Sequence, residues 1–186
     1  MANLVAGYNT AGAGSSTVWS SPGNVTAEDG VFTVSPAPPA GTPGSLLKTT
    51  QYGFSIPSNA TIVGFRVRIK GKLTYGLDIE NNTQVGLTKD GSSLAGTADG
   101  SFGFSGTNTA YERADGSTET NLWGTTWTPA EVNASTFGVL VWGINAGAAT
   151  NSQQVDVVQV KVFYTVNSTA SAKLWGRSPD INVRVY

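Results

Sequence analysis

The stretch Ile62-Val63-Gly64-Phe65-Arg66-Val67-Arg68-Ile69-Lys70 decides the fold. Val63, Phe65, Val67 and Ile69 share one parity, while Arg66, Arg68 and Lys70 share the other. A pleated strand sends successive side chains to opposite faces, so this alternation predicts a sheet with one apolar side and one basic side. Burying such apolar side chains contributes on the order of 1.5–3 kcal/mol each. A slip of one residue would push the cations into the core, so the register is expected to be firmly set.

Working outward, Val155 to Val166 is a second strong strand. Val155, Val157, Gln159, Lys161, Phe163 and Thr165 fall on one parity; Asp156, Val158, Val160, Val162, Tyr164 and Val166 fall on the other, which is expected to face the core from Val158 onward. Phe137 to Ile144 is almost continuously apolar, as in a central strand covered on both faces, or on one face plus a neighbouring subunit. Weaker strands are predicted at Val31–Val34, Leu46–Thr50, Thr83–Lys89 and Ser101–Phe104. Asp-Gly pairs at 29–30, 90–91, 99–100 and 115–116 mark turns, with Lys89-Asp90-Gly91-Ser92 the best hairpin candidate. Thr128-Pro129-Ala130-Glu131 is a capping box with Pro at the first helical position, which predicts one short helix over Pro129–Asn133. The expected fold is all-β: a single antiparallel β-sandwich, jelly-roll-like, with one short helix and an extended C-terminal arm.

Three segments are expected. Residues 1–18, rich in Gly, Ala, Ser and Thr, form a loosely held N-terminal segment. Residues 19–166 form the sandwich, and 167–186 a linker followed by a C-terminal arm or last strand. The tail holds Trp175 and an alternating Ile181/Val183/Val185 set and ends at Tyr186. It has three open fates: a last strand of its own domain, an arm reaching a neighbour, or disorder. Its Trp and Tyr argue against the third.

Composition narrows the chemistry. Among 186 residues there is no Cys and no His. Thiol nucleophiles, disulfides, His-based triads and zinc sites built on His or Cys are therefore excluded. Charged residues make up 12 % of the chain, about half the usual share, and the net charge is −1. Such a surface neutralises few phosphates, so nucleic acid is not an expected partner. No run of apolar residues is long enough to predict a membrane span. The N-terminus lacks a basic region followed by an apolar one, so no signal peptide is expected and the protein is expected to stay in the cytosol or to leave it by cell lysis.

The remaining routes to chemistry are weak. Asp78 and Glu80 would share a strand face, and paired carboxylates serve glycosidases, but a solvated strand end explains them as well. Glu28-Asp29 and Glu112/Asp115 read as turn acids. Oxygen-rich stretches at Asp78–Thr83 and Asp90–Ser93 lack the spacing of a calcium loop, so no metal or other cofactor is expected. Trp19, Trp123, Trp127, Trp142 and Trp175 suit either a sugar platform or packing; Trp123 and Trp127, flanking Gly124-Thr125-Thr126, are expected to plug one end of the sandwich. Five Asn-x-Ser/Thr sequons are what a chain rich in these residues produces by chance. The basic stripe of Arg66, Arg68 and Lys70 is either a solvated face or a match for an acidic partner.

Two blocks carry a resemblance. Phe54-Ser55-Ile56-Pro57-Ser58-Asn59-Ala60-Thr61 running into Ile62–Lys70, and Leu122-Trp123-Gly124-Thr125-Thr126-Trp127-Thr128-Pro129-Ala130-Glu131-Val132-Asn133-Ala134-Ser135-Thr136-Phe137-Gly138-Val139, resemble segments of phage virion structural proteins. Val18-Trp19-Ser20-Ser21-Pro22-Gly23-Asn24 is similar to their opening. The resemblance spans about residues 18–166 and implies a jelly-roll-like sandwich in a virion, among capsid decoration (cement) and tail appendage proteins. It implies no catalytic residues. The expectation is a non-enzymatic capsid decoration protein on the outer surface of a phage head, forming a homo-oligomer, a trimer by preference, and contacting the major capsid protein. The alternative is a tail appendage or a carbohydrate- or receptor-binding sandwich. Expected interface residues are Trp175, Ile181, Val183 and Tyr186 on the tail, with Arg66 and Arg68 on the strand.

Overall fold

The computed structural model describes residues 4–37, 44–74, 81–102, 104, 110–114, 119–145 and 152–166. In chain order the strands are β1 (Leu4–Val5), β2 (Asn9–Thr10), β3 (Ala13–Ser15), β4 (Thr33–Val34), β5 (Leu47–Thr50), β6 (Ala60–Leu73), β7 (Asn81–Thr88), β8 (Asp99–Phe102), β9 (Ala110–Ala114), β10 (Gly138–Asn145) and β11 (Gln153–Val166). They form two antiparallel sheets: β1-β11-β6-β9, with β2 and β4 also on β11, and β3-β5-β10-β7-β8. From β5 onward the chain changes sheet at every step except β7 to β8. With β1 and β2 beside β11, this is jelly-roll connectivity, and the protein is an all-β sandwich with little helix.

The two longest strands, β6 and β11, pair along their whole length, and two bulges set which residues face the core. Tyr164 pairs with Ile62 and Phe163 with Gly64, so Val63 is the extra residue. The inward set of β6 is therefore Ile62, Phe65, Val67 and Ile69, all buried, and Val63 is only half-buried. Simple alternation had placed Val63 in the core; the bulge resets the parity and puts Ile62 there instead. On β11 the extra residue is Asp156, between Val155 and Val157. Val155 faces the core before it, and Val158, Val160 and Val162 after it.

The second sheet supplies the facing layer through Leu47, Val85, Leu87, Val139 and Val141. β10 is central, between β5 and β7, which explains its continuous apolar run. Its other face is also covered: Leu140 is buried, and Leu94 folds onto Gly86, where a Cβ would collide with the leucine methyl. One end of the core is an aromatic cluster. The Phe137 ring lies 5.7 Å from Phe65, 5.6 Å from Trp127, 5.9 Å from Phe54 and 6.0 Å from Tyr52. The Tyr52 hydroxyl sits 2.6 Å from Thr49 Oγ1, and burial raises its pKa above the ordinary tyrosine range.

Trp123 and Trp127 are both buried. Trp123 takes a left-handed φ of 57°, uncommon for so large a residue. Asn121 Oδ1 accepts from its backbone N–H at 2.8 Å, and its carbonyl accepts from Thr97 N–H at 2.9 Å. Just downstream, α1 (Pro129–Asn133) carries the predicted capping box, with Thr128 and Glu131 exchanging hydrogen bonds. Asn133 then ties the helix end to both backbone groups of Ile56 at 2.8 Å.

Two segments differ from expectation. Residues 4–15, read as a loose segment, are extended and paired: β1 and β2 lie on β11, and β3 lies on β5. This tiles the free edge of β11, which would otherwise present unpaired backbone groups. The Lys89–Ser92 segment turns at Gly91, φ 78°, but does not close a tight hairpin, because the next strand, β8, begins only at Asp99. Asp90 Oδ1 organises the turn by accepting from Thr88 Oγ1 and from the Ser92 and Ser93 N–H groups at 2.7–2.9 Å.

Phe137→Ala should cost about 3–5 kcal/mol in urea unfolding, because one side chain supports the whole aromatic cluster; a loss under about 1 kcal/mol would contradict that role. A second prediction concerns acid. The Ser93 and Ser92 N–H groups lower the Asp90 pKa, and the Lys89 hydrogen bond lowers that of Glu131. Depressed carboxyl pKa values favour the fold above the ordinary carboxylate range, and that contribution is lost as pH falls through it. The double variant Asp90→Asn/Glu131→Gln should therefore lose less stability on acidification than the wild type, read as the urea midpoint against pH. Parallel curves would show that these groups do not contribute.

Candidate functional site

The bulges leave β6 with Arg66, Arg68, Lys70 and Lys72 on the outer face of the first sheet, joined by Lys161 from β11. That is five of the eleven Lys and Arg residues in a chain of net charge −1. Each is partly buried, its stem lying along the sheet. Alternate residues on a strand stand about 6.6–6.8 Å apart, and like charges at that separation repel by about 2–3 kcal/mol at the effective dielectric near a protein surface.

Aromatic rings and amides hold this row in place. The Arg68 guanidinium lies 4.0 Å from the centre of the Tyr8 ring, and Lys161 Nζ approaches the same ring at 5.4 Å. Arg66 and Lys161 each lie 5.6 Å from the Phe163 ring, which is almost wholly covered. Each such cation–π contact is worth about 0.5–1 kcal/mol at a surface. Arg68 Nε donates to Gln159 Oε1 at 2.6 Å, and Gln159 Nε2 donates to Thr10 Oγ1 at 3.0 Å. The N-terminal strand β2 and its neighbour Tyr8 thus fix cations that belong to β6 and β11.

At the other end of the row the Asp156 bulge makes a charged anchor. Its side chain is fully buried, and Oδ1 accepts from the Gly30 and Asp29 N–H groups at 3.0 and 3.3 Å. Gly30 takes a positive φ of 80°, so this Asp-Gly pair is a true turn, docked on the sheet by a carboxylate from another strand. Lys70 Nζ lies 3.6 Å from Asp156 Oδ2 and 2.8 Å from Glu28 Oε1. Beyond it, Lys72 Nζ sits 4.5 Å from the Phe32 ring.

Other candidates resolve differently. Arg66 and Arg68 are brought together on this face, but Trp175, Ile181, Val183 and Tyr186 lie outside the described residues, as do Asp78 and Glu80. Trp19, Trp123 and Trp127 are buried in the core, and Trp142 is half-buried. Among the described residues no group of three or more acidic side chains is placed to hold a metal ion. An open depression of about 540 Å³ lies beside the β3 edge, lined by Ser15, Ser16, Thr17, Val18, Ser45, Leu46 and Lys48. Its lining is small hydroxyls, the apolar side chains of Val18 and Leu46 and a single charged side chain, Lys48, and no acid–base pair converges there. Sequence reasoning missed Tyr8, Phe163 and Asp156. The available signals were Phe163 sharing parity with Lys161, and a lone Asp inside a run of valines; Tyr8, in a segment read as loose, carried none.

No protein-family model matches this chain, and no curated protein matches it.

Two stability tests follow from this geometry. Asp156→Ala leaves the N–H groups of the docked turn without their acceptor and removes one of the two carboxylates at Lys70, and should cost about 3 kcal/mol in urea unfolding; a change below about 0.5 kcal/mol would show that the bulge holds without its carboxylate. A double-mutant cycle between Tyr8→Leu and Arg68→Gln should give a coupling of about 0.5–1 kcal/mol. Additivity would mean that ring and cation do not support each other.

Proposed function

We propose that this protein is a structural, non-enzymatic module: a decoration protein that binds the outer surface of a phage head and stabilises it, with self-association into a trimer. The observation that carries the docking part of this reading is the braced cationic row on the outer face of the first sheet. Its side chains are held before any partner arrives, which lowers the ordering cost of binding. The placement on a head is supported by the sequence blocks around Ile62–Lys70 and Leu122–Val139 and by a jelly-roll sandwich, an architecture common in viral capsid proteins.

A decoration protein that recognises only the assembled shell stabilises it by mass action, since binding one state shifts the equilibrium towards it. Threefold positions on a shell favour a trimer. The major capsid protein is the proposed partner, and the C-terminal segment with Trp175, Ile181, Val183 and Tyr186 is proposed as the arm that reaches a neighbour. A sugar-binding reading has less support, because Trp19, Trp123 and Trp127 are spent on the core.

The test is sedimentation with DNA-filled heads after tails have been removed. The full chain should co-sediment. A chain lacking residues 171–186 should keep its urea transition but lose trimerisation or head binding. Normal decoration by the shortened chain would end the arm role, and full-length protein that follows the tails would end the head assignment.

A further inference from the structure

We infer that Lys70 and Asp156 condense into an amide bond between their side chains, so that β6 and β11 are joined covalently as well as by their ladder. The inference goes beyond the decoration reading and does not depend on it.

The bulge brings the two groups together. Val155 pairs with Gly71 and Val157 with Lys70, so Asp156, the extra residue, stands beside Lys70 on the neighbouring strand. Lys70 Nζ lies 3.6 Å from Asp156 Oδ2, which puts the amine at contact distance from the carboxyl group. Holding two reactants in this way replaces a bimolecular encounter and raises their effective concentration by many orders of magnitude. The two carboxylate oxygens have different surroundings. Oδ1 accepts from the Gly30 and Asp29 N–H groups at 3.0 and 3.3 Å, an arrangement that stabilises negative charge gathering on that oxygen during attack at its carbon. Oδ2 accepts no hydrogen bond among the described residues. A third group completes the set: Glu28 Oε1 lies 2.8 Å from the same Nζ, within reach for proton transfer. Glu28, Asp29 and Gly30 are consecutive, so one docked segment supplies both the proton carrier and the two N–H donors.

The step balances without a co-reactant. The Lys70 ammonium passes a proton to Oδ2, and the neutral amine attacks Cγ, putting negative charge on Oδ1. Glu28 takes a proton from the newly bonded nitrogen and delivers it to the Oδ2 hydroxyl, which leaves as water while Oδ1 closes back to a carbonyl. One ammonium and one carboxylate become one amide and one water, and Glu28 ends as it began. Burial favours the product. The Asp156 side chain is wholly covered and that of Lys70 is 24 % exposed, so a neutral amide replaces a charge that is costly to keep from water. The partial opening at Lys70 and Glu28 gives the released water a way out.

The experiment is the intact mass of the full-length folded protein, followed by fragmentation of its tryptic peptides. The wild type should be one water lighter than its sequence, and a branched peptide should link the fragments that hold Lys70 and Asp156. Lys70→Arg, which keeps the cation but offers no amine, should retain its full sequence mass. Glu28→Gln changes an exposed side chain, and should fold and react about a hundredfold more slowly, read as mass against time after refolding. The four Asp-Gly pairs can also lose water by cyclising. Each sample is therefore treated with hydroxylamine, which opens that ring and leaves the amide intact. A wild type at full sequence mass would overturn the inference and leave a buried ion pair in its place. A water loss that hydroxylamine abolishes, or one that persists in Lys70→Arg, would overturn it equally. Glu28→Gln reacting as fast as the wild type would overturn the proton transfer assigned to Glu28.

Discussion

The pairing of β6 with β11 is the constraint on which the rest depends. Two fourteen-residue strands run antiparallel, and each carries one extra residue, Val63 on β6 and Asp156 on β11. Between the bulges the parity is fixed: Phe65, Val67 and Ile69 meet Val162, Val160 and Val158 inside, while Arg66 and Arg68 meet Lys161 and Gln159 outside. A shift by one residue would exchange these sets, burying cations without partners and exposing the apolar layer. The cost of either is large compared with the whole stability of a domain this size. Every other feature of the first sheet is placed relative to this ladder.

The bulges are also where the ladder is tied to the rest of the chain. Asp156, displaced from the ladder by its bulge, turns its carboxylate to the Asp29–Gly30 turn and to Lys70. The exposed side of β11 is closed by four short contacts in succession: β4, the Thr26 bridge, β2 and β1. That tiling brings Tyr8 over Arg68, so edge protection and bracing of the cationic row are one arrangement. The N-terminal strands therefore serve the sheet twice, by pairing backbone groups that would invite aggregation and by ordering long side chains that would otherwise be mobile.

Much of the fold was legible because its signals are local. The alternation at Phe65–Lys70, the apolar run at Phe137–Ile144 and the box at Thr128–Glu131 each name their own structure. The bulges were not legible, since an extra residue looks like ordinary sequence until its partner strand is known; alternation alone therefore assigned Val63 to the core in place of Ile62. The pairing of residues 4–15 was hidden for a related reason. Small residues carry little apolar signal, and their backbone bonds are invisible in composition. Of the proposed surface, Arg66 and Arg68 could be read from one strand, but Tyr8, Gln159 and Thr10 come from distant positions that only the sheet brings together.

Native-state amide hydrogen exchange tests the central claim most directly, because it reports which backbone pairs persist until the whole molecule opens. The slowest amides are expected in the paired centre of β6 and β11, over 65–71 and 157–162, with protection broken at Val63 and Asp156. Fast exchange through that centre, with the slowest amides confined to the second sheet, would show that the ladder does not organise the fold.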